Sequence, residues 1–218
     1  MKKFIAILAV VALMLGIFAA CSNEDKKVDG VEGVKVVSDV IEEGDYQYVE
    51  LSNDTVKIVK YIGADYDTVT IPEKFGGMPV SVIGEQAFTG NKTISIPVIP
   101  ETVVSIEKYA FSDCAITKIT IPESVTYIGD FAFSYCTALV WGKLGNGVEH
   151  IGTCAFQMCS SLKSLVIFDD VAEIGEKAFD VGVTSSLDGG FAITTTKLCK
   201  NLLKYCYDNG VACDYQQQ

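Results

Sequence analysis

The sequence predicts a strand-rich α/β fold: a right-handed solenoid of about five to six coils around a parallel sheet, with an N-terminal hairpin cap and a C-terminal helix cap. Two observations support this fold class. The pattern Val-x-x-Ile-Gly-x-x-Ala-Phe recurs through the middle of the 218-residue chain. Its five copies are separated by 23, 22, 23 and 23 residues. That period is too short for a repeat of two helices and is typical of a coil that contributes one strand per turn, as in a leucine-rich repeat.

Four columns of the pattern hold the same residue in every copy. They are Val80, Val103, Val125, Val148 and Val171, then Ile83, Ile106, Ile128, Ile151 and Ile174, then Ala87, Ala110, Ala132, Ala155 and Ala178, then Phe88, Phe111, Phe133, Phe156 and Phe179. We expect the phenylalanines to stack as an interior column. The glycine is expected to permit a tight turn, and the alanine a close approach of neighbouring coils.

Three segments between the copies predict the strands of the parallel sheet, at residues 116–121, 139–144 and 162–167. Alternate positions of a strand point to opposite faces, so the apolar set faces the interior and the remaining positions face outward. The predicted ligand-binding surface consists of two outward rows, Lys118, Trp141 and Ser164 in one and Thr120, Lys143 and Val166 in the other.

Trp141 has two interpretations on sequence alone. As an exposed aromatic among polar groups it is a typical anchor for protein or sugar recognition. Alternatively it fills the inward space left by Gly142, since the run Trp141-Gly142-Lys143 is expected to disrupt its strand. The pattern leaves both open.

Cys114, Cys136 and Cys159 follow the phenylalanine by three positions in consecutive coils. Stacked coils lie about 4.8 Å apart, which predicts a ladder of buried, reduced thiols rather than a metal or redox site. With this column the pattern Ile-Pro-x-x-Val-x-x-Ile-Gly-x-x-Ala-Phe-x-x-Cys resembles the BspA-like leucine-rich repeats of bacterial surface proteins, over about residues 45–213. A departure is Glu107, which replaces the glycine. The resemblance implies a role in adhesion and in binding a host or envelope protein.

The ends of the solenoid need caps, because an open end exposes apolar side chains and a strand edge. Segments 46–51 and 55–61 predict a hairpin, and segment 197–208 predicts a helix that ends at Asn209-Gly210 before a strand at 211–213. The predicted domain comprises an N-cap at residues 45–67, repeats at 68–180, a C-cap at 181–213 and a tail at 214–218.

Two lysines and an apolar run at residues 4–20 predict an export signal over residues 1–20. Small residues before Cys21 resemble the lipobox of bacterial lipoproteins, which implies cleavage there, a lipid on Cys21 and attachment to the membrane at the bacterial cell envelope or surface. A plain secretory signal with an incidental cysteine, or an uncleaved anchor, remains an alternative. Residues 21–44 are expected to be a tether, solvated in its polar first part.

Composition excludes several classes of function. A net charge of −11, with lysine as the only strongly basic residue type, argues against nucleic-acid binding. The single histidine, His150, occupies an outward position of variable character, and Asp169-Asp170 is interpreted as a solvated turn rather than a cation site. The sequence therefore predicts no enzyme, cofactor or metal site. Cys206 and Cys213, across the Asn209-Gly210 reversal, could form a disulfide.

The sequence thus predicts a non-enzymatic, surface-anchored protein that binds another protein through the outward face of its parallel sheet. The alternative is a glycan-binding accessory of the envelope, in which Trp141 would be the stacking platform for a sugar ring.

Overall fold

A computed structural model describes residues 28–64, 67–168, 170–182, 190–195 and 199–215. The predicted signal peptide and Cys21 lie outside these residues. The described chain forms β1 (Ile41–Glu43), β2 (Tyr46–Glu50), β3 (Val56–Tyr61), β4 (Thr68–Thr70), β5 (Lys74–Phe75), β6 (Met78–Ile83), β7 (Ile96–Val98), β8 (Ser105–Ile106), β9 (Lys118–Thr120), β10 (Tyr127–Ile128), β11 (Trp141–Leu144), β12 (His150–Ile151), β13 (Ser164–Ile167), β14 (Glu173–Ile174), β15 (Ala192–Thr195), α1 (Lys200–Asn209) and β16 (Ala212–Tyr215).

Two sheets line the solenoid. The predicted parallel sheet is five-stranded, in the order β16-β15-β13-β11-β9, and β4 pairs with β7 in a short parallel ladder. The isoleucines of the repeat form a second parallel ladder through β8, β10, β12 and β14, which the sequence analysis did not predict. This ladder joins the N-terminal strands in a nine-stranded sheet, in the order β1-β2-β3-β6-β8-β10-β12-β14 with β5 paired to β6.

The interior between the sheets is a stack of identical side chains, as predicted. Rings of the five repeat phenylalanines are parallel or nearly so, with centroids of successive rings 4.8, 5.3, 5.1 and 5.8 Å apart. Tyr61 extends the column at the N-terminal end and Tyr205 at the C-terminal end. Each coil therefore buries a ring that the next coil covers, and the caps complete the stack.

The glycines of the repeat serve a different purpose from the one expected. A Cβ atom at Gly129, Gly152 or Gly175 would lie 2.7, 2.4 or 2.3 Å from a backbone nitrogen of the preceding coil. The glycines thus permit close approach of the coils. The left-handed residue of each turn lies two positions later, and these residues, with φ of 55–58°, are Gln86, Tyr109, Phe131, Cys154 and Lys177.

Both caps form as predicted. Strands β2 and β3 make an antiparallel hairpin over the first coil, and α1 ends at Gly210, whose φ is +65°. None of the described residues belongs to a helix long and apolar enough to cross a membrane.

The segment expected to be a tether lies against the domain from Val28 onward. Val28 is fully buried in a small apolar cluster with Val49, Leu51 and Val82, on the outer side of the nine-stranded sheet. Valines at 31, 34 and 36 pack against the same cluster. The described part of residues 21–44 is therefore held to the sheet by apolar contacts, in addition to forming β1.

Candidate binding face

Strand β11 is continuous, and its alternation fixes the orientation of Trp141. Trp141 pairs with Lys118 on one side and Ser164 on the other. A Cβ atom at Gly142 would lie 2.7 Å from the Leu165 side chain and 3.3 Å from that of Ile119, both interior residues. Gly142 therefore points inward and Trp141 outward. The expectation that residues 141–143 disrupt the strand is wrong, and so is the inward interpretation of Trp141.

All six predicted surface residues lie on the outer face of the five-stranded sheet. The register aligns Lys118, Trp141 and Ser164 in one row and Thr120, Lys143 and Val166 in the next. Lys118 and Thr120 are exposed, whereas the other four are half-buried by their neighbours. The two rows are thus brought together as the sequence predicts.

Two lysines cover two aromatic rings on this face. Lys118 Nζ lies 4.8 Å from the centroid of the Trp141 ring, and Lys143 Nζ lies 4.9 Å from that of Phe168. Both distances are within the range of a cation–π interaction. We call Lys118, Trp141, Lys143 and Phe168 the lysine–aromatic face. The sequence analysis missed Phe168, although it continues the outward alternation of Ser164 and Val166 by one step.

Apolar side chains extend the face towards the N-terminus. Ile96 and Val98 on β7 are 39% and 44% exposed, with Pro97 buried between them. Strand β7 lies beside β9, where the Thr117 N–H donates a 2.8 Å hydrogen bond to the Ser95 carbonyl. Exposed β-branched residues therefore lie next to Lys118.

The charge on this face contrasts with that of the whole chain. Among the described residues, no carboxylate lies within ion-pair distance of Lys118 or Lys143. The chain as a whole carries a net charge of −11. The lysine–aromatic face is accordingly a cationic and aromatic region on an acidic protein.

The thiol column is buried as predicted. Each thiol donates to a phenylalanine carbonyl of the preceding coil, from Cys114 to Phe88 at 3.0 Å, from Cys136 to Phe111 at 3.1 Å and from Cys159 to Phe133 at 3.1 Å. Burial raises the pKa of Cys114 and of Cys159 to about 12, so both remain protonated at neutral pH. No group of three or more His, Cys, Asp or Glu in the described part of the chain could hold a metal ion.

Comparison with known families identifies the repeat. The family described as "BspA type Leucine rich repeat region" matches residues 54–208 in six copies. The chain belongs to this family. The resemblance stated from the sequence is thus confirmed over the repeats, the second strand of the hairpin and most of α1. A comparison with curated protein sequences finds no match.

Solved structures of bacterial leucine-rich repeat proteins have a similar fold. A protein from Eubacterium ventriosum is 19% identical with a TM-score of 0.53, covering 72% of this chain and 48% of its own. A protein from Bacteroides capillosus is 20% identical with a TM-score of 0.42, covering 72% and 99%. The pneumococcal vaccine antigen PcpA is 12% identical with a TM-score of 0.46, covering 78% and 46%. The likeness to the Eubacterium ventriosum protein, at 19% identity, shows the fold alone.

Two further candidates have structural roles in this BspA-type chain. His150 is half-buried, stacks on Tyr127 at 4.6 Å and places Nδ1 3.0 Å from a Glu173 carboxylate oxygen. Asp170 accepts hydrogen bonds from the N–H groups of Asn201 and Leu202 at 3.0 and 3.4 Å, and so caps the start of α1. Asp169 lies outside the described residues. Sequence analysis missed this cap because Asp170 and Asn201 are 31 residues apart.

Proposed function

We propose that this protein is a non-enzymatic module of the bacterial cell surface that binds another protein through the lysine–aromatic face. The observation that carries the proposal is the pairing of Lys118 with Trp141 and of Lys143 with Phe168 on the outer side of the five-stranded sheet. Aromatic residues are enriched at protein interfaces and account for much of their binding energy. Ile96 and Val98 add apolar area beside them.

Charge and shape favour a partner that presents carboxylates next to apolar side chains. Lys118 and Lys143 have no carboxylate partner among the described residues, and their ammonium groups are held in place over rings. An acidic segment of a partner would therefore meet two positioned cations. Such complementarity increases the association rate and selects the partner.

The same geometry disfavours the glycan alternative. A sugar stacks on a free face of an aromatic ring, and the Lys118 ammonium lies over the Trp141 ring. Trp141 is also half-buried, which reduces the area available to a flat ligand. A polysaccharide ligand is thus an outcome of the test and not the proposal.

We further propose that the protein is exported and attached to the membrane through a lipid on Cys21. The sequence features that support this are the apolar run and the small residues that precede Cys21. With the domain packed from Val28 onward, only residues 22–27 would separate the lipid from the folded part. An extended chain spans at most about 3.5 Å per residue, so the domain would stay within roughly 25 Å of the anchor.

The binding proposal is tested by a screen of immobilised residues 22–218 against matrix proteins, serum proteins and polysaccharides. The variant is Trp141→Ala with Lys143→Glu. Its matched control is Tyr207→Ala with Lys204→Glu, which removes an exposed aromatic and reverses a lysine on α1, away from the face. We expect a protein ligand whose binding is lost in the first variant and retained in the second. Equal loss in both variants, or a ligand that is a polysaccharide, would overturn the proposal.

The anchor is tested separately by growing cells that express the chain with an alkyne-labelled fatty acid. We expect label on the wild-type protein and none on Cys21→Ser, which should be released from the membrane fraction. Cys154→Ser is the control, since Cys154 is a buried residue of the repeats. Label that persists on Cys21→Ser would contradict the anchor.

A further inference from the structure

The C-terminal cap brings two cysteines together around one turn. Helix α1 ends at Gly210, where the N–H groups of Gly210 and Val211 both donate to the Cys206 carbonyl, the latter at 2.9 Å. The chain then reverses into β16, which pairs in parallel with β15 and places Cys213 beside Ile193. As a result the Cys213 side chain packs against the core cluster that contains Cys206, and the two thiols are close enough for each to shift the pKa of the other.

This pair differs from the thiol column of the repeats. Cys114, Cys136 and Cys159 each donate to a backbone carbonyl and are at most 3% exposed. Cys206 has another cysteine as its neighbour, and this residue, Cys213, is half-buried at the edge strand of its sheet. Two cysteines whose side chains are neighbours can reach disulfide geometry by rotation about their side-chain bonds.

We propose that Cys206 and Cys213 are a modification site, at which a disulfide forms and fastens the terminal strand to α1. Both thiols are reduced in the structure. The bond would close a short loop at the end of the solenoid, where an unfastened strand could fray from the last coil. The proposal depends on the geometry of the cap and does not require the proposed binding function.

The reaction is a thiol–disulfide exchange with a small-molecule disulfide as oxidant. Cys213 loses its proton and attacks one sulfur of the reagent, which forms a mixed disulfide and releases one reagent thiol. Cys206 then loses its proton and attacks the Cys213 sulfur, which closes the protein disulfide and releases the second reagent thiol. The protein loses two protons and two electrons, and the reagent disulfide gains both as it becomes two thiols.

The environment assigns the order of the two steps. Burial raises the pKa of both thiols, to about 12 for Cys206. For Cys213 burial raises the pKa, and the neighbouring Cys206 thiol offsets part of that rise. Cys213 is also the more exposed sulfur. Cys213 is therefore the attacking residue and Cys206 the residue that resolves the mixed disulfide.

The test treats the full chain, purified in reductant, with oxidised glutathione. We expect the intact mass to fall by two hydrogen atoms. Cleavage at Tyr207, between the two cysteines, should give two peptides that separate only after reduction. The oxidised chain should melt about 5 °C higher than the reduced chain. Cys213→Ser should lose both changes, whereas Cys154→Ser, which alters a thiol in the repeats, should keep them.

Three results would overturn the proposal. One is a folded chain that keeps its full mass under conditions in which the urea-unfolded chain becomes oxidised. Another is a glutathione adduct on Cys213 that Cys206 does not displace. The third is a crosslink that joins Cys206 to a cysteine other than Cys213.

Discussion

The outer sides of the two sheets are occupied differently, although one repeat builds both. On the nine-stranded sheet the N-terminal segment covers part of the outer surface, at β2, β6, β8 and β10. The Asp29 N–H donates to Glu107, the Ser105 hydroxyl donates to the Asp29 carbonyl at 2.6 Å, and Gly30 lies against the Tyr127 ring. On the five-stranded sheet the outward side chains of the described strands are exposed or half-buried.

Glu107 shows how a departure from the repeat creates this cover. It occupies the glycine position of its coil and is almost fully buried. Its carboxylate accepts from the Glu85 N–H at 2.9 Å and from the Asp29 N–H at 3.2 Å, and it pairs with Lys57 at 2.5 Å. One substitution in the pattern thus holds the N-terminal segment. The described residues provide no such cover on the five-stranded sheet.

The largest effect is expected in the interior that both sheets share. Raising the pH above 9 should steeply lower the free energy of unfolding, because thiols are buried there. Burial raises the pKa of Cys114 and Cys159 from 9.0 to about 12, and also raises that of Cys136. Between these values the unfolded chain releases protons that the folded chain retains. The stabilisation is therefore complete below pH 9 and is lost as pH rises towards 12.

The slope should be about 1.4 kcal/mol per pH unit for each thiol, or about 4 kcal/mol for the three. Urea unfolding at a series of pH values measures it. Changing all three cysteines to alanine should reduce the slope by this amount, and an unchanged slope would show that the thiol column does not titrate on unfolding.

Releasing the N-terminal segment from the nine-stranded sheet should have the next largest effect on the free energy of unfolding. Glu107→Gly restores the repeat pattern but leaves Lys57 without its partner and frees two N–H groups, for a loss of about 3 kcal/mol. Hydrogen exchange should become faster in residues 28–37. The control is Glu123→Gly, which removes an exposed carboxylate at a cost below about 1 kcal/mol. Protection of residues 28–37 that survives Glu107→Gly would show that the apolar cluster alone holds the segment.

Glycine substitutions compare the packing of the two sheets directly. Gly152→Ala, after β12, would press a methyl group against the backbone of the preceding coil, which cannot yield, for a loss of about 3 kcal/mol. Gly142→Ala, within β11, would meet the end of the Leu165 side chain, which can rotate away, so the loss should stay below about 1 kcal/mol. Urea unfolding of both variants measures the difference. Equal losses would mean that both sheets tolerate added volume alike.

The interior could be predicted from the sequence because stacking demands the same residue in every coil. Each ring stacks on the rings of the neighbouring coils, as Phe133 does on Phe111 and Phe156. A phenylalanine that recurs at the repeat period therefore predicts this contact. The outward rows followed from alternation within strands. The second parallel ladder was missed because its strands β8, β10, β12 and β14 are each two residues long, too short to show any period.

The cover and the ring pairs depend on contacts that local patterns do not contain. Asp29 and Glu107 are 78 residues apart, and only the folded coils place them together. The orientation of Trp141 was ambiguous because Gly142 supplies no side chain to mark the inward position. It became evident only from the space between Ile119 and Leu165.

A substitution on the lysine–aromatic face should have the smallest effect on the free energy of unfolding. Lys118→Ala removes the ammonium from the ring of Trp141, and a partly exposed cation–π pair contributes about 0.5–1 kcal/mol. Because Trp141 is the single tryptophan of the chain, its emission should shift towards the red as water reaches the ring. Lys163→Ala, which removes an exposed lysine beside the same sheet, is the control and should leave the emission unchanged.

The size of this loss separates a binding role for Trp141 from a structural one. A residue kept for a partner contributes little to the isolated fold, since its contacts are completed only in the complex. A loss above about 2 kcal/mol on Lys118→Ala would place the pair among the contacts that hold the coils together. The five-stranded face would then resemble the covered sheet, and the contrast between the two sheets would no longer support a binding role.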